Sequence, residues 1–246
     1  MRAKDRLFHE RQQRVDGFDF GKRTASVFDD MLDRSVPYYA EIQRMVVELA
    51  GVFMKDGTRV YDLGCSTGTT LMQLAQTHPK RDVQFVGVDN SEPMLQKARA
   101  KLSRSGSGNR CELKAADLND LVVENASVVI MVLTLQFVRP LYRDALIKRL
   151  YQGLVSQGSL ILVEKVLCND SRLNRIFIDQ YYEFKKRQGY SELEIAQKRE
   201  ALENVLIPYR IDENLELLTR NGFSGTEVFF RWYNFAAIVA VKNGQS

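Results

Sequence analysis

Between residues 58 and 167, short apolar runs alternate with segments of helical period, and this alternation restricts the possible folds more than any other feature. Thr58-Arg59-Val60-Tyr61-Asp62-Leu63 reads as a strand ending at Gly64, with a helix from Thr69 to Ala75 behind it. Val83 to Val88 is the next strand and ends at Asp89-Asn90. Ser91-Glu92-Pro93 then opens a helix: a hydroxyl to cap it, an acid for its dipole and an early proline. Val128 to Leu133 and Ser159 to Val163 lack polar alternation, as expected of parallel strands covered on both faces. The pattern predicts an α/β fold, a doubly wound and mostly parallel sheet.

The flanks read differently. Residues 23–55 carry a helical period (Val27, Met31, Val36, Ile42, Met45, Val46, Leu49), interrupted near Pro37. Residues 171–205 form a long, charged helical stretch between strands, placed to cover a site or meet a partner. From Thr226 to Lys242 two β-rich runs flank a turn at Tyr233-Asn234, a hairpin that gives the sheet an antiparallel edge. Ser103 to Asn109 reads as a loop. The expected organisation is one domain over 1–246: a helical cap (1–55), a core sheet (56–168), a helical insertion (169–210) and a C-terminal helix with hairpin (211–246).

Composition narrows the chemistry. With 246 residues, 45% of them hydrophobic, the chain can bury a substantial core. No apolar run approaches the roughly 20 residues of a membrane span, and the N-terminal stretch lacks the apolar segment of a secretory signal. Cys65, Cys111 and Cys168 form no CxxC pair, which suits a reducing cytoplasm. The two histidines, His9 and His78, both precede the middle of the chain, which disfavours histidine-rich metal sites and most triad hydrolases. A net charge of +4, dispersed, permits nucleic-acid contact without arguing for it.

The richest local signal is Asp62-Leu63-Gly64-Cys65-Ser66-Thr67-Gly68, between a strand and a helix. Small residues there let backbone approach a ligand, and the helix start offers unpaired N–H groups. Gly64-Cys65-Ser66-Thr67-Gly68 matches the G-x-S-x-G nucleophile elbow, but no histidine lies beyond His78 to serve Ser66 as base. A dinucleotide fingerprint lacks its third glycine. The remaining reading is an S-adenosyl-L-methionine (SAM) fold. Asp62 precedes the loop, Asp89 ends the next strand with two acceptor oxygens for ribose hydroxyls, and Asp117 follows Glu112-Leu113-Lys114. All three fall past strand ends, where open sheets bind ligands, although any one of them alone could simply cap a helix or turn.

Tyr61-Asp62-Leu63-Gly64-Cys65-Ser66, Val88-Asp89-Asn90-Ser91, Thr134-Leu135-Gln136-Phe137, Arg34-Ser35-Val36-Pro37 and the stretch from Gly189 to Val205 resemble the carboxy-S-adenosyl-L-methionine synthase family. The resemblance runs from about Arg34 to Lys242. It implies a Rossmann-like SAM methyltransferase fold with a seven-stranded sheet, and a cytoplasmic, homodimeric enzyme needing no metal. Such an enzyme converts SAM and prephenate to carboxy-SAM and phenylpyruvate. A base generated in the reaction deprotonates the sulfonium methyl, and the ylide captures CO2. A separate enzyme then uses carboxy-SAM on wobble uridine in tRNA, so no direct nucleic-acid binding is expected.

The resemblance also implies site residues. Gly64, Cys65 and Ser66 fall at the methionine moiety, Asp89 and Asn90 at the ribose, Asp117 and Leu118 at the adenine, and Tyr39 closes over SAM. Arg199 binds the added carboxylate, for which a forked, permanently charged group is suited. Read without the resemblance, Arg199 is one charge on a solvated helix face and Tyr39 a core or surface aromatic. Val132 departs from the family, which carries asparagine there; valine can neither donate nor accept a hydrogen bond. That departure keeps open an ordinary SAM-dependent methyltransferase acting on a small molecule or RNA, and a catalytically silent SAM binder.

Overall fold

The computed structural model describes residues 3–12 and 14–244; residues 1–2, 245–246 and Gln13 of the expected cap and hairpin segments lie outside them. The strands are β1 (Thr58–Leu63), β2 (Val83–Asp89), β3 (Cys111–Ala115), β4 (Ala126–Val132), β5 (Leu154–Leu167), β6 (Tyr209–Arg210), β7 (Gly225–Trp232) and β8 (Phe235–Val241). They are arranged β3-β2-β1-β4-β5-β8-β7. Pairing is parallel from β3 to β5, while β8 runs antiparallel to both of its neighbours. The helices are α1 (Lys22–Ser35), α2 (Tyr39–Phe53), α3 (Thr69–Thr77), α4 (Glu92–Arg104), α5 (Pro140–Gly153), α6 (Ser171–Arg187), α7 (Glu192–Leu202) and α8 (Ile211–Arg220).

Side-chain alternation splits the core into two layers. Val60, Phe85, Val128, Ile130, Ile161 and Val163 face α2, α3 and α6, meeting Ile42, Leu71, Leu74 and Tyr181. Tyr61, Leu63, Val86, Val129 and Met131 face α5 and α8, meeting Leu146, Leu150, Leu217 and Leu218. Both faces are dry, which is why the central strands read as unbroken apolar runs. Each fully buried Leu or Ile contributes on the order of 1.5–3 kcal/mol.

Two details differ from the sequence reading. The fifth strand is 14 residues long, not the five of Ser159–Val163. Exposed Ser156 and Gln157, with Gln157 at φ 58, break its apolar pattern near the start without ending the strand. Its far end, past β4, leaves backbone groups that Val166 and Leu167 pair with Tyr209 and Arg210, adding a short eighth strand.

The helical insertion is two helices joined at Gly189, whose φ of 85 suits a residue without Cβ. Ser191 and Glu194 start α7 as a reciprocal capping box. The N-terminal segment lies along α7: the Gln197 side chain donates to the Phe8 and Glu10 carbonyls, and the Phe18 N–H to the Ala201 carbonyl.

Candidate functional site

The glycine loop turns sharply because three of its residues adopt positive φ: Gly64 (74), Ser66 (48) and Gly68 (75). A Cβ on Gly64 would stand 2.4 Å from Thr134 Oγ1, so only glycine fits. The Gly64 and Cys65 N–H groups both donate to the Val88 carbonyl, at 2.8 and 3.0 Å, tying the loop to β2. Asp89 completes the tie. Its Oδ2 accepts the Ser66 N–H at 2.9 Å and its Oδ1 the Ser91 N–H at 2.8 Å. The carboxylate is thereby fixed with lone pairs left over for a ligand. Burial raises its pKa, and the two N–H donors oppose that rise.

The loop borders a cavity of about 400 Å³. Tyr39, Gly64, Cys65, Ser66 and Asp89 line it, as do Asn90, Asp117, Leu118 and Val132. Nine of the ten site residues that the resemblance implies therefore meet at one place with Asp62, beyond the carboxyl ends of β1, β2, β3 and β4. Arg199 does not join them. It is exposed on α7 and borders a separate groove with Asp179, Tyr182, Glu183, Lys186 and Ile195.

Asp62 is the least satisfied group in the cavity wall. It is 2% exposed, and its Oδ2 has no hydrogen-bond partner among the described residues. Burial, with Asp89 second, pushes its carboxyl up to about 7. A ligand cation would relieve this arrangement. Tyr39 faces the same region; its hydroxyl accepts from Gln43 Nε2 at 3.0 Å, and burial with the Asp62 charge holds its pKa high.

The Ser66 hydroxyl donates to the Gly64 carbonyl, turned into its own loop. Neither histidine reaches it: His78 Nε2 contacts the Val47 carbonyl and His9 lies beside Glu194. Burial raises the Cys65 thiol, an inert packing group.

Sequence reasoning missed the apolar wall and the acid that holds the turn behind it. Phe18, Phe20, Phe28 and Phe137 line the cavity, with Phe20 edge-on to both Phe18 and Phe137 at 5.2 Å. Phe18 and Phe20, two residues apart in a mostly polar N-terminal segment, were the available signal. The Thr134–Gln136 turn is held by Glu164, which accepts the N–H groups of Thr134, Leu135 and Gln136 at 2.8–3.2 Å. Burial pushes Glu164 up to about 8, against the pull of those donors and of Arg143. An acid inside an apolar strand run marked this residue.

The fold and the loop place the chain in the class of SAM-dependent methyltransferase folds. Residues 60–158 match a family model described as a methyltransferase domain. An O-methyltransferase family protein from Burkholderia thailandensis superposes with a TM-score of 0.68 at 16% identity, covering 95% of this chain and 66% of that one. Magnesium protoporphyrin IX methyltransferase from Synechocystis, solved with bound SAH, gives 0.60 at 19% identity, with 86% of each chain covered. At these identities the likeness concerns the fold alone. Sequence relatives are far nearer. Carboxy-S-adenosyl-L-methionine synthase from Methylococcus capsulatus is 58% identical over 98% of this chain and all of its own. The enzyme of that name from Shewanella oneidensis is 40% identical over 98% of this chain and 99% of its own. The chain belongs to the carboxy-S-adenosyl-L-methionine synthase family.

Proposed function

We propose that this protein converts SAM and prephenate to carboxy-SAM and phenylpyruvate. The observation that carries the reading is the full-length identity of 58% to a synthase of that name, joined to a cavity of about 400 Å³ lined by three strand-end acids. The nucleoside lies with its ribose on Asp89, its adenine by Asp117 and Leu118, and its ammonium against Asp62. The sulfonium then points toward Val132 and Tyr39.

The chemistry balances without an oxidant or metal. Prephenate aromatises by losing CO2 and hydroxide; the hydroxide takes a proton from the sulfonium methyl, leaving water and a carbanion that attacks CO2. The protein's part is to position both molecules and exclude bulk water, which the four phenylalanines of the wall serve.

Arg199 fits this reading as the carboxylate ligand of a partner subunit's cavity, because it borders a groove on its own chain's surface instead of its own cavity. On this reading the protein is a homodimer and cytoplasmic, supplying a separate tRNA-modifying enzyme without touching RNA itself. The described residues contain no cluster of potential metal ligands and no helix long and apolar enough to cross a membrane.

Mass spectrometry of the copurified nucleoside, with assay of phenylpyruvate from added prephenate, tests the reading. Carboxy-SAM and phenylpyruvate are expected; SAH alone, with indifference to prephenate, would establish ordinary methyl transfer, which the apolar Val132 favours.

A further inference from the structure

Close to the strand-end side of the cavity wall, α6 and the far end of β5 bring two lysines together around the Tyr181 ring. Lys185 is 5% exposed, and its Nζ lies 4.6 Å from the Tyr181 ring centroid and 5.0 Å from that of Tyr182. Lys165 Nζ approaches the Tyr181 ring from β5 at 5.2 Å. Neither ammonium has a hydrogen bond or ion pair among the described residues. A third buried lysine shows the contrast: Lys198 Nζ donates to Ser35 Oγ at 3.1 Å and lies 3.8 Å from Asp5. Burial, with the charges of Lys198, Lys165 and Arg199, pushes Lys185 down to about 6; burial lowers Lys165 too. Aromatic faces offset only part of the desolvation of two ammoniums, and a core lacking a functional demand would hold apolar residues here.

The position of the pair matters as much as its charge. Val132, in the cavity wall, pairs in register with Val163. Lys165 follows Val163 by two residues and so projects from the same face of the sheet. Strand spacing and rise put the Val132 and Lys165 Cα atoms roughly 8 Å apart, although neither lysine itself lines the cavity. Lys165 is also anchored to the cavity turn, since its N–H donates to Gln136 Oε1 at 3.0 Å. Tyr181 bonds the Ser35 carbonyl at 2.9 Å, closing the cluster toward the start of α2, where Tyr39 lines the cavity.

We propose that Lys165 and Lys185 anchor the carboxylate that the second substrate keeps, the one on its pyruvyl arm, so that the carboxylate it loses is directed at the sulfonium beside Val132. The inference rests on the carboxyl-transfer reading and adds the subsite that orients the dicarboxylate. The retained carboxylate receives two charged donors, and an arriving anion restores full charge to Lys185.

Lys185→Met and Lys165→Met test it, since methionine keeps the unbranched stem and packing while removing the charge. Each is assayed for prephenate KM, for kcat, for inhibition by phenylpyruvate and for calorimetric SAM binding. We expect the prephenate KM and the phenylpyruvate inhibition constant to rise together, tenfold or more, with SAM affinity within twofold of wild type and partial recovery in Lys185→Arg. A purely structural role would not move the prephenate KM alone. The two variants stand on different elements, so a folding defect in one leaves the other to decide. A prephenate KM within twofold of wild type in a folded variant would overturn the anchor. Wild-type enzyme that releases no phenylpyruvate would instead overturn the carboxyl-transfer reading, and the anchor with it.

Discussion

Asp89 Oδ2 accepts the backbone N–H of Ser66 at 2.9 Å, across 23 residues of sequence, and so one carboxylate both shapes the glycine loop and faces the cavity. Ser66 holds φ at 48, a conformation that a serine leaves readily unless its N–H is engaged. Removing the acceptor therefore acts twice. Asp89→Ala is expected to weaken SAM binding by 30-fold or more, and to destabilise the fold by about 1–3 kcal/mol through the unpaired Ser66 and Ser91 amides. Calorimetry and thermal melting separate the two effects; a SAM affinity within threefold of wild type would remove Asp89 from the ligand.

Asp62 makes SAM binding depend on pH. Burial and Asp89 raise its carboxyl to about 7, so below that pH it is mostly protonated in the free protein. A ligand ammonium binds the ionised form, so a proton must leave before the cation settles. Affinity should fall as pH drops from 7 to 5, by up to about tenfold per unit. Asp62→Asn, unable to ionise, should bind more weakly at pH 7.5 and show a flatter profile. Titrations in buffers of different ionisation enthalpy would reveal the released proton. An identical profile in the variant would assign the pH dependence elsewhere.

Glu164 supports the site from behind. Its oxygens collect three amides of the turn that carries Thr134 and Phe137 into the cavity. Glu164→Ala leaves those amides unpaired in a dry interior and should cost about 3 kcal/mol or more. The melting temperature should fall by roughly 6–12 °C, given 2–4 °C per kcal/mol for a chain of this size. Weaker SAM binding should follow, because the turn presses directly on Gly64. A melting temperature within 2 °C of wild type would mean that water reaches those amides.

The strand-end acids and the loop were legible in the sequence because their chemistry is local: a glycine turn, an acid at the end of each strand, a helix cap at Ser91. Each of Asp62, Asp89 and Asp117 needs only its own strand to reach the cavity. Phe18 and Phe20 needed the N-terminal segment to fold back along α7, a contact that no local period encodes. Lys185 reads in sequence as one of three consecutive basic residues ending a helix, and only packing shows that it alone of the three is buried. The extent of β5 was hidden for the opposite reason, since exposed Ser156 and Gln157 interrupt a run that the backbone continues.

Arg199 separates the two nucleosides of the proposed reaction. It lies outside its own chain's cavity, on the α6–α7 groove, and under the proposed function it meets the carboxylate from a partner subunit. Arg199→Ala is expected to leave SAM affinity within threefold while weakening carboxy-SAM by about 1.5–3 kcal/mol, roughly 10- to 150-fold, the range of a hydrogen bond to a charged group. Equal losses for both ligands would assign Arg199 to folding or assembly.

Lys185 should oppose stability wherever the unfolded chain would hold it charged. Its pKa is about 6 in the folded chain and near 10.4 unfolded, so between those values the unfolded state holds more protons. Wild-type stability must therefore rise with pH across that interval. Lys185→Met lacks the term and should melt higher at pH 6.5, by an amount on the order of 1–3 kcal/mol for relief of the cost of burying an amine that must give up its proton. At 2–4 °C per kcal/mol that is roughly 2–12 °C, shrinking as pH approaches 10. Melting curves of both proteins at pH 6.5 and 9, without ligand, measure the difference. A variant less stable than wild type at both values would mean that the ammonium is held by its aromatic neighbours strongly enough to serve the fold. A stabler variant that binds prephenate poorly would show an amine kept in the core at the expense of stability because the substrate requires it.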